Sequence, residues 1–221
     1  MELREAIHHR RTIRAFLPDP VPENTIRELI SEALWAPSWK NAQPWELVVA
    51  GGEILERFKK ENREALLSGN TSIPEIPLPK SLPSPFHNRY ADLNRQIYET
   101  ISIEEDNTRG HIEYYAQMYA LYDAPALVLM LLDKGLAIEY AMLDCGLFLQ
   151  TFCLLARERS LGTAILSAAV HCPDVVRRIF PIPENKLLVV GVALGWPDTD
   201  AALNSFERNR SPINEFVKWI N

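Results

Sequence analysis

Motifs through which side chains or metals carry out catalysis are missing from this sequence of 221 residues. It contains no GxSxG, GxGxxG or Walker A motif and no HExxH pair. The five histidines have no metal-ligand spacing, so we predict no metal site; they are His8, His9, His87, His111 and His171. No serine, histidine and aspartate set stands out, although a triad scattered along the chain stays open. With no evident nucleophile or metal, an enzyme of this sequence would take its chemistry from an organic cofactor.

Cysteine is scarce, with only Cys145, Cys153 and Cys172 in the chain. The number is odd and no CxxC pair occurs, so we expect free thiols in a reducing compartment. The first residues, MELREAIHHRR, lack the apolar segment of a secretory signal. The longest apolar run, 140–156, is shorter than the roughly 20 residues that a membrane span needs. These features predict a soluble, cytoplasmic protein that contacts no membrane.

Positive charge is also in short supply, since 23 lysines and arginines face 29 acidic residues and leave a formal net charge of -6. Nucleic-acid binding needs a broad basic face, so this balance argues against it. Hydrophobic residues make up 47% of the chain, which predicts a packed core rather than disorder. The length suits one large domain better than two small ones.

Apolar periodicity predicts alternating helices and strands. Helices are expected between Pro22 and Pro37 and over 53–67, 105–122 and 136–160, with another beginning at Pro173. Strands are expected over 45–50, 125–133 and 186–196, with a short one inside 161–168. Taken alone, this alternation favours a doubly wound parallel sheet. The helix over 136–160 is apolar on most sides, which predicts a position in the core or in an interface.

Prolines crowd one stretch, where Pro74, Pro77, Pro79, Pro83 and Pro85 fall close together. Neither a helix nor a central strand is expected to persist over 68–92. One interpretation is a linker between two domains. We favour a lid or insertion at about 68–115 within a single domain of residues 1–221, because the flanking segments read as parts of one pattern.

Two basic clusters stand at opposite ends of this acidic chain. They are Arg10, Arg11, Thr12 and Arg14, and Arg208 with Arg210. Guanidinium groups bind phosphate oxygens through two parallel hydrogen bonds, and a threonine hydroxyl adds a donor. The clusters are therefore suited to a phosphate dianion. The alternative, that all of them are solvated surface arginines, stays open on spacing alone.

The stretch APSWKNAQPW, 36–45, is dense in amide and hydroxyl groups. Ser38, Asn41 and Gln43 can each hydrogen-bond a polar heterocycle, and the prolines Pro37 and Pro44 stiffen the loop. A plain structural turn would not need so many side-chain donors. Taken alone, however, a turn remains an equal alternative.

Together these segments resemble the nitroreductase family of FMN-dependent oxidoreductases. The resemblance rests on RRTIRAF (10–16), APSWKNAQPW (36–45), SLGTAILSA (160–168), GVALGWPD (191–198) and RNRSP (208–212). The proline-rich insertion and the tail NSFERNRSPINEFV also resemble the nitrobenzoate-reductase-like branch. The family implies an α+β fold, an α-β-α sandwich with a mostly antiparallel central sheet, in place of the parallel sheet. It further implies an intertwined homodimer with FMN at the interface.

The resemblance also implies a cofactor site. Arg10, Arg11, Thr12 and Arg14, with Arg208 and Arg210, match the residues that hold the FMN phosphate and ribityl chain. Pro37, Ser38, Asn41 and Gln43 match the loop that reaches the flavin from the other subunit. Leu166, Ser167 and Ala168 match the segment whose main chain faces the isoalloxazine ring. No catalytic side chain is implied.

The activity implied is a ping-pong reaction, in which NADH or NADPH gives hydride to flavin N5 and a nitroaromatic or quinone-type substrate then takes the electrons. One alternative on the same scaffold is reductive dehalogenation of a halogenated phenol such as a halotyrosine. Another is a protein that binds flavin or a phosphorylated ligand without turnover. A nucleic-acid role for the basic run is the weakest alternative.

Overall fold

A computed structural model describes residues 1–69 and 73–220, and its centre is one four-stranded sheet. The strands are β1 (Glu46–Gly51), β2 (Ala126–Asp133), β3 (Gly162–Leu166) and β4 (Lys186–Gly195). Their spatial order is β1-β2-β4-β3, and every pair is antiparallel. The antiparallel sheet implied by the family resemblance is confirmed. The parallel sheet expected from the alternation alone is wrong, because the order of helices and strands does not determine strand direction.

Helices cover both faces of this sheet. They are α1 (Leu3–His9), α2 (Glu23–Ala33), α3 (Gly52–Leu67), α4 (Phe86–Thr100), α5 (Thr108–Tyr119), α6 (Ile138–Glu158), α7 (Pro173–Ile179) and α8 (Ala202–Ser205). One core contains residues of α3, α5 and α7, and the other contains residues of α2 and α6. Successive residues of β2, such as Leu129 and Met130, belong to opposite cores. The continuous apolar run is thus a strand buried on both faces of an α-β-α sandwich.

The proline-rich segment departs from prediction at its C-terminal end. Helix α4 begins at Phe86, inside the stretch 68–92 where no helix was expected. The last proline of the run, Pro85, occupies the N-cap of this helix, a position where its missing N–H costs nothing. Upstream, the Glu75 carboxylate accepts a hydrogen bond from the Leu188 amide at 2.9 Å, so the segment is anchored on β4. Residues 70–72 of the predicted lid lie outside the described residues.

Helix α6 has 21 residues and extends beyond the apolar run 140–156, which was judged too short to span a membrane. By length and mean hydropathy, 1.4 over its most apolar stretch, it meets the criterion for a membrane-spanning helix. Phe148 and Phe152 on one face are 1% exposed in the core. Tyr140 and Leu143 on another face are 57% and 63% exposed. One face of the helix is therefore buried in the core, and another apolar face remains exposed to solvent in a single chain.

All three cysteines are free, as expected, and all three are buried. Burial raises the pKa of each thiol, to about 12 for Cys145. These side chains are consequently protonated near neutral pH and pack as small hydrophobic groups.

Candidate functional site

The N-terminal basic segment lies along the edge strand β3. Thr12 forms a parallel bridge with Thr163, and the Ile13 amide donates to the Thr163 carbonyl oxygen at 3.0 Å. A Cβ at Gly162 would lie 2.5 Å from Ile13 Cγ1, so only glycine permits this approach. Two segments separated by about 150 residues in the chain, RRTIRAF and SLGTAILSA, are thereby brought into contact.

A buried amide fixes the C-terminal region to the same N-terminal segment. The Asn204 side chain, 7% exposed, accepts a hydrogen bond from the Arg14 amide at 2.7 Å. It donates to the carbonyl oxygens of Ala15 and Asp198, each at 2.8 Å. Sequence reasoning did not single out Asn204, since a lone asparagine whose partners are distant main-chain atoms forms no motif.

The two basic clusters predicted to converge do so. Arg208 donates to the carbonyl oxygens of His8 and Arg10. Arg11 donates to the carbonyl oxygen of Phe206. The guanidinium carbons of Arg11 and Arg14 each lie 5.6 Å from the centroid of the Phe206 ring. Residues from both ends of the chain therefore form one local structure.

A cleft of about 780 Å³ opens between this structure and helix α4. Seven arginines line it, against two carboxylates. The arginines are Arg10, Arg11, Arg14, Arg89, Arg95, Arg208 and Arg210, and the carboxylates are Asp92 and Glu99. Thr12 also lines the cleft. In an acidic chain, this concentration of positive charge at one place marks an anion-binding region.

The arginines contributed by the two termini lack counter-charges. Among the described residues, no carboxylate oxygen lies within 4.0 Å of these guanidinium groups, namely those of Arg10, Arg11, Arg14, Arg208 and Arg210. The Nε atoms of Arg10 and Arg14 are buried and have no hydrogen-bond partner in the described part of the chain. Burial, followed by repulsion from neighbouring guanidinium groups, lowers the pKa of Arg11 and of Arg208. A bound anion would relieve both penalties.

The loop 36–45 is held on helix α6 rather than in the cleft. Its Trp39 amide donates to the carboxylate of Asp144, at 3.0 Å to Oδ1, and this buried aspartate is 4% exposed. Within the loop, the Gln43 amide donates to Ser38 Oγ at 2.9 Å, and Gln43 Nε2 donates to Asn41 Oδ1 at 3.2 Å. Asp144 is a second residue that sequence reasoning missed; its signal was an acid inside an otherwise apolar helix.

Backbone conformation in this loop is unusual. Lys40, Asn41 and Gln43 have φ values of 49°, 59° and 48°, in the left-handed region that non-glycine residues rarely adopt. Such conformations persist where surrounding contacts enforce them and are common at binding sites. Pro37, Asn41 and Gln43 are exposed, and Ser38 is half-buried. In one chain, the described part of the cleft wall does not include these four residues.

The segment predicted to face a flavin ring begins at the last residue of β3. Leu166 and Ala168 are 5% and 1% exposed, so both residues belong to the core. The Ala168 carbonyl oxygen accepts a hydrogen bond from Asn62 Nδ2 at 3.1 Å. Ser167 is exposed. These three residues also lie outside the described lining of the cleft in one chain.

Comparison with known proteins identifies the family of this fold and site. The family model described as "Nitroreductase family" matches residues 7–196. The chain is 30% identical to chloronitrobenzene nitroreductase of Comamonas testosteroni over 219 residues, 98% of this chain and 96% of that protein. It is 29% identical to 4-nitrobenzoate reductase of Pseudomonas putida over 215 residues, 96% of this chain and 92% of that protein.

The structure agrees with the sequence comparison. It is similar to the crystal structure of FMN and NADPH-dependent nitroreductase NfnB from sphigopyxis sp. strain HMH, with a TM-score of 0.95 and 25% identity. The likeness covers 100% of both chains. The family inferred from the quoted segments is confirmed, and the chain belongs to the nitroreductase family.

Proposed function

We propose that this protein is an FMN-dependent oxidoreductase that uses NADH or NADPH to reduce nitroaromatic or quinone-type substrates in a ping-pong reaction. The observation that carries the proposal is the cleft in which five of the seven arginines, those contributed by the two ends of the chain, have no carboxylate partner among the described residues. The named nitroreductases that resemble the chain over nearly its whole length support the same activity. They do not favour dehalogenation.

The residues of the cleft fit the FMN phosphate. The buried, unpartnered Nε atoms of Arg10 and Arg14 supply N–H donors that no protein acceptor uses. Arg208 and Arg210 bring further positive charge from the tail, and Thr12 adds a hydroxyl. A phosphate dianion offers several acceptor oxygens to such donors, each charge-assisted bond being worth about 1.5–3 kcal/mol.

The flavin ring is assigned to the main chain of Leu166, Ser167 and Ala168. Leu166 and Ala168 are buried, so Ser167, which is exposed between them, is where this segment can offer its main chain to the ring. The Asn62 bond to Ala168 holds that backbone in place. When bound, FMN supplies hydride acceptance at N5 and electron return to the substrate. The protein positions the ring and its donors, and solvent supplies protons, so no catalytic side chain is required.

A homodimer completes the site in this proposal. Helix α6 leaves Tyr140 and Leu143 exposed, and Trp39 packs beside Tyr140 with ring centroids 5.7 Å apart. A second copy covering this apolar face would carry its own loop, with Pro37, Ser38, Asn41 and Gln43, toward the flavin of its partner. Leu143→Glu should therefore yield a monomer in sedimentation equilibrium and lower flavin occupancy. A wild-type monomer with full flavin would contradict this arrangement.

The remaining parts of the proposal concern organisation and location. Residues 1–221 form a single domain with a lid or insertion at about 68–115, in which helix α4 lines the cleft. Helix α6 serves as a core and subunit-interface helix, which is consistent with its buried phenylalanines, and the protein is soluble and cytoplasmic.

Purified protein provides the test. It should be yellow with an FMN spectrum and should oxidise NADH or NADPH when 4-nitrobenzoate or menadione is present. Anaerobic stopped-flow mixing with each nicotinamide should bleach the flavin at a rate no slower than turnover. Iodotyrosine serves as a parallel substrate and should be a poor one. A colourless protein that FMN does not reconstitute, or a flavin that neither nicotinamide reduces, would overturn the proposal.

A further inference from the structure

A second, smaller cavity of about 310 Å³ lies beside the N-terminal segment and the start of β3. Its wall includes His9 and Arg10, Cys153 and Arg157 from the last part of α6, and the hydroxyl residues Thr163 and Thr199. Helix α4, which closes the larger cleft, contributes no residue to the described lining of this one. The two cavities share Arg10 and Arg11 but otherwise have different walls.

Arg157 is the residue that distinguishes this cavity. Its Nε atom is buried and has no hydrogen-bond partner among residues 1–69 and 73–220, like the Nε atom of Arg10 in the same wall. Among the described residues, no carboxylate oxygen lies within 4.0 Å of either guanidinium group. Arg159, two positions further on at the C-cap of the same helix, is bound by Glu28. A buried N–H without an acceptor is costly, so the pair of orphaned donors needs an explanation.

The lining favours negative charge in the cavity. No aspartate or glutamate is among its described residues, whereas three arginines and a histidine are. His9 has Glu5 at 3.8 Å along α1, and both side chains are about half exposed. Thr163 is 4% exposed and places a hydroxyl in the wall. Ile13 and Leu161 add apolar surface, which strengthens charge interactions beside them, and Asn204 and Ser205 add uncharged polar groups.

We propose that this cavity is an anion subsite for a tetrahedral phosphate-class oxoanion, held mainly by Arg157, with Arg10 at the boundary between this subsite and the cleft assigned to the FMN phosphate. At about 310 Å³ it holds a phosphate group with hydrating water but is at the low end for an organic ligand. Free inorganic phosphate and a phosphate group carried by a nucleotide share this chemistry. The separation of the two sites rests on the proposed function.

The test uses flavin-loaded protein and its melting temperature. Sodium phosphate is titrated against sodium chloride at constant ionic strength, for wild type, Arg157→Met and the matched control Arg159→Met. We expect a saturable rise of the melting temperature in wild type and in Arg159→Met. In Arg157→Met the apparent phosphate dissociation constant should rise about tenfold or more, as loss of one charge-assisted contact predicts. Flavin absorbance after dialysis should show equal FMN retention in all three.

Further measurements distinguish inorganic phosphate from a nucleotide phosphate, and a conservative variant provides a test in case Arg157→Met does not fold. Adenosine 2′,5′-bisphosphate and 5′-AMP replace phosphate in parallel titrations; tighter binding of the bisphosphate that Arg157→Met abolishes would assign the subsite to a nucleotide 2′-phosphate. Arg157→Lys keeps the charge but loses the planar fork, and should bind phosphate with intermediate affinity.

Two results would overturn the proposal. One is the absence of any saturable effect of phosphate or bisphosphate on wild type. The other is loss of FMN from Arg157→Met as large as that from Arg210→Ala, which would make the cavity part of the cofactor site. If the protein binds no FMN at all, the part of the phosphate response of flavin-free protein that Arg157→Met removes and Arg159→Met keeps still reports on the subsite, so failure of the two proposals can be told apart.

Discussion

Two groups among the sixteen arginines of this protein look alike in sequence and differ in their surroundings. Eight of them have a carboxylate oxygen within 4.0 Å; they are Arg27, Arg57, Arg63, Arg89, Arg95, Arg159, Arg177 and Arg178. The five at the two chain ends, which meet in the cleft, have none among the described residues. The chain has more acidic than basic residues, so these five are left unpaired by placement and not by a shortage of carboxylates.

The difference indicates what each group contributes. Exposed ion pairs are worth only about 0.2–1 kcal/mol and serve the surface of the folded chain. Clustered guanidinium groups, by contrast, repel one another. Burial is the main cause of the lowered pKa of Arg208, and repulsion from Arg11, Arg210 and Arg10 lowers it further. Such an arrangement opposes folding unless an anion occupies it. Substitutions in the two groups should therefore affect different properties: FMN affinity for the cleft arginines, and only slight changes in stability for the paired surface arginines.

The largest effect is expected from Asn204→Ala, which releases the tail from the N-terminal segment. The Arg14 amide and the carbonyl oxygens of Ala15 and Asp198 would lose their partner. A buried unsatisfied group costs about 1–3 kcal/mol, so the free energy of unfolding should fall on the order of 3 kcal/mol. Urea unfolding measures this, with the exposed Asn209→Ala as a control expected to change stability by about 0.5 kcal/mol or less. Equal loss in both variants would mean that Asn204 does not fix the tail.

Arg10→Ala and Arg210→Ala should weaken FMN binding more than they alter the fold. Each removes a charge-assisted contact of about 1.5–3 kcal/mol, which corresponds to a dissociation constant about tenfold to 150-fold higher. Fluorescence titration of the apoprotein with FMN measures the change. Arg159→Ala, from the paired group, should leave the dissociation constant unchanged. Full flavin occupancy of both cleft variants at low FMN concentration would refute the phosphate assignment.

A smaller, pH-dependent effect is expected where the tail meets α4. Arg89 donates to Glu215 at 2.6 Å and to Ser211 Oγ at 3.0 Å, and its guanidinium carbon lies 5.7 Å from the Phe86 ring centroid and 5.0 Å from that of Phe216. The Arg89 hydrogen bond, aided by Ser211, lowers the pKa of Glu215. The contact therefore stabilises the tail fully above the ordinary glutamate pKa of about 4.3 and is lost as the pH falls through the lower, folded value.

Hydrogen exchange of the tail amides, corrected for intrinsic rates, checks this sign. Protection over 206–217 should be constant from pH 7 to pH 5 and should fall only in more acid solution. Glu215→Gln should lose protection already at pH 7. Asp92→Asn breaks the exposed Arg95 pair within α4 and should leave the tail unchanged. Loss of protection between pH 7 and pH 5 in wild type would contradict the assignment.

The smallest effect belongs to a surface pair. Arg27 and Glu23 lie 2.6 Å apart on α2 with about three quarters of each side chain exposed. Arg27→Ala should change the free energy of unfolding by about 0.5 kcal/mol or less and FMN affinity not at all. Thermal unfolding and flavin titration on the same samples test both statements. A flavin affinity as low as that of Arg10→Ala would erase the distinction between the two groups.

Elements with a strong apolar pattern were predictable from the sequence. The bounds of the strand predicted over 125–133 differ from those of β2 by one residue at most. The bounds of the helix predicted over 136–160 differ from those of α6 by two residues at each end. Strand direction was not predictable, because it depends on pairing between distant segments. Helix α4 was missed because five prolines dominated the local pattern, although the last of them starts the helix.

The candidate site divides in the same way. The arginine clusters carry a repeated, recognisable chemistry, and their meeting was predicted from the family resemblance. Asn204 and Asp144 were missed because each is a single polar residue whose partners are main-chain atoms of segments remote in sequence. The roles of Ser38, Asn41 and Gln43 stay predictions, since they depend on a second subunit.

The most direct measurement compares FMN with riboflavin, which differ only in the terminal phosphate, as ligands of the apoprotein. If the unpaired arginines of the two chain ends bind that phosphate, FMN should bind at least about 100-fold more tightly than riboflavin, and Arg10→Ala and Arg210→Ala should each reduce this ratio. Equal affinities for the two flavins in the wild-type protein would contradict the account.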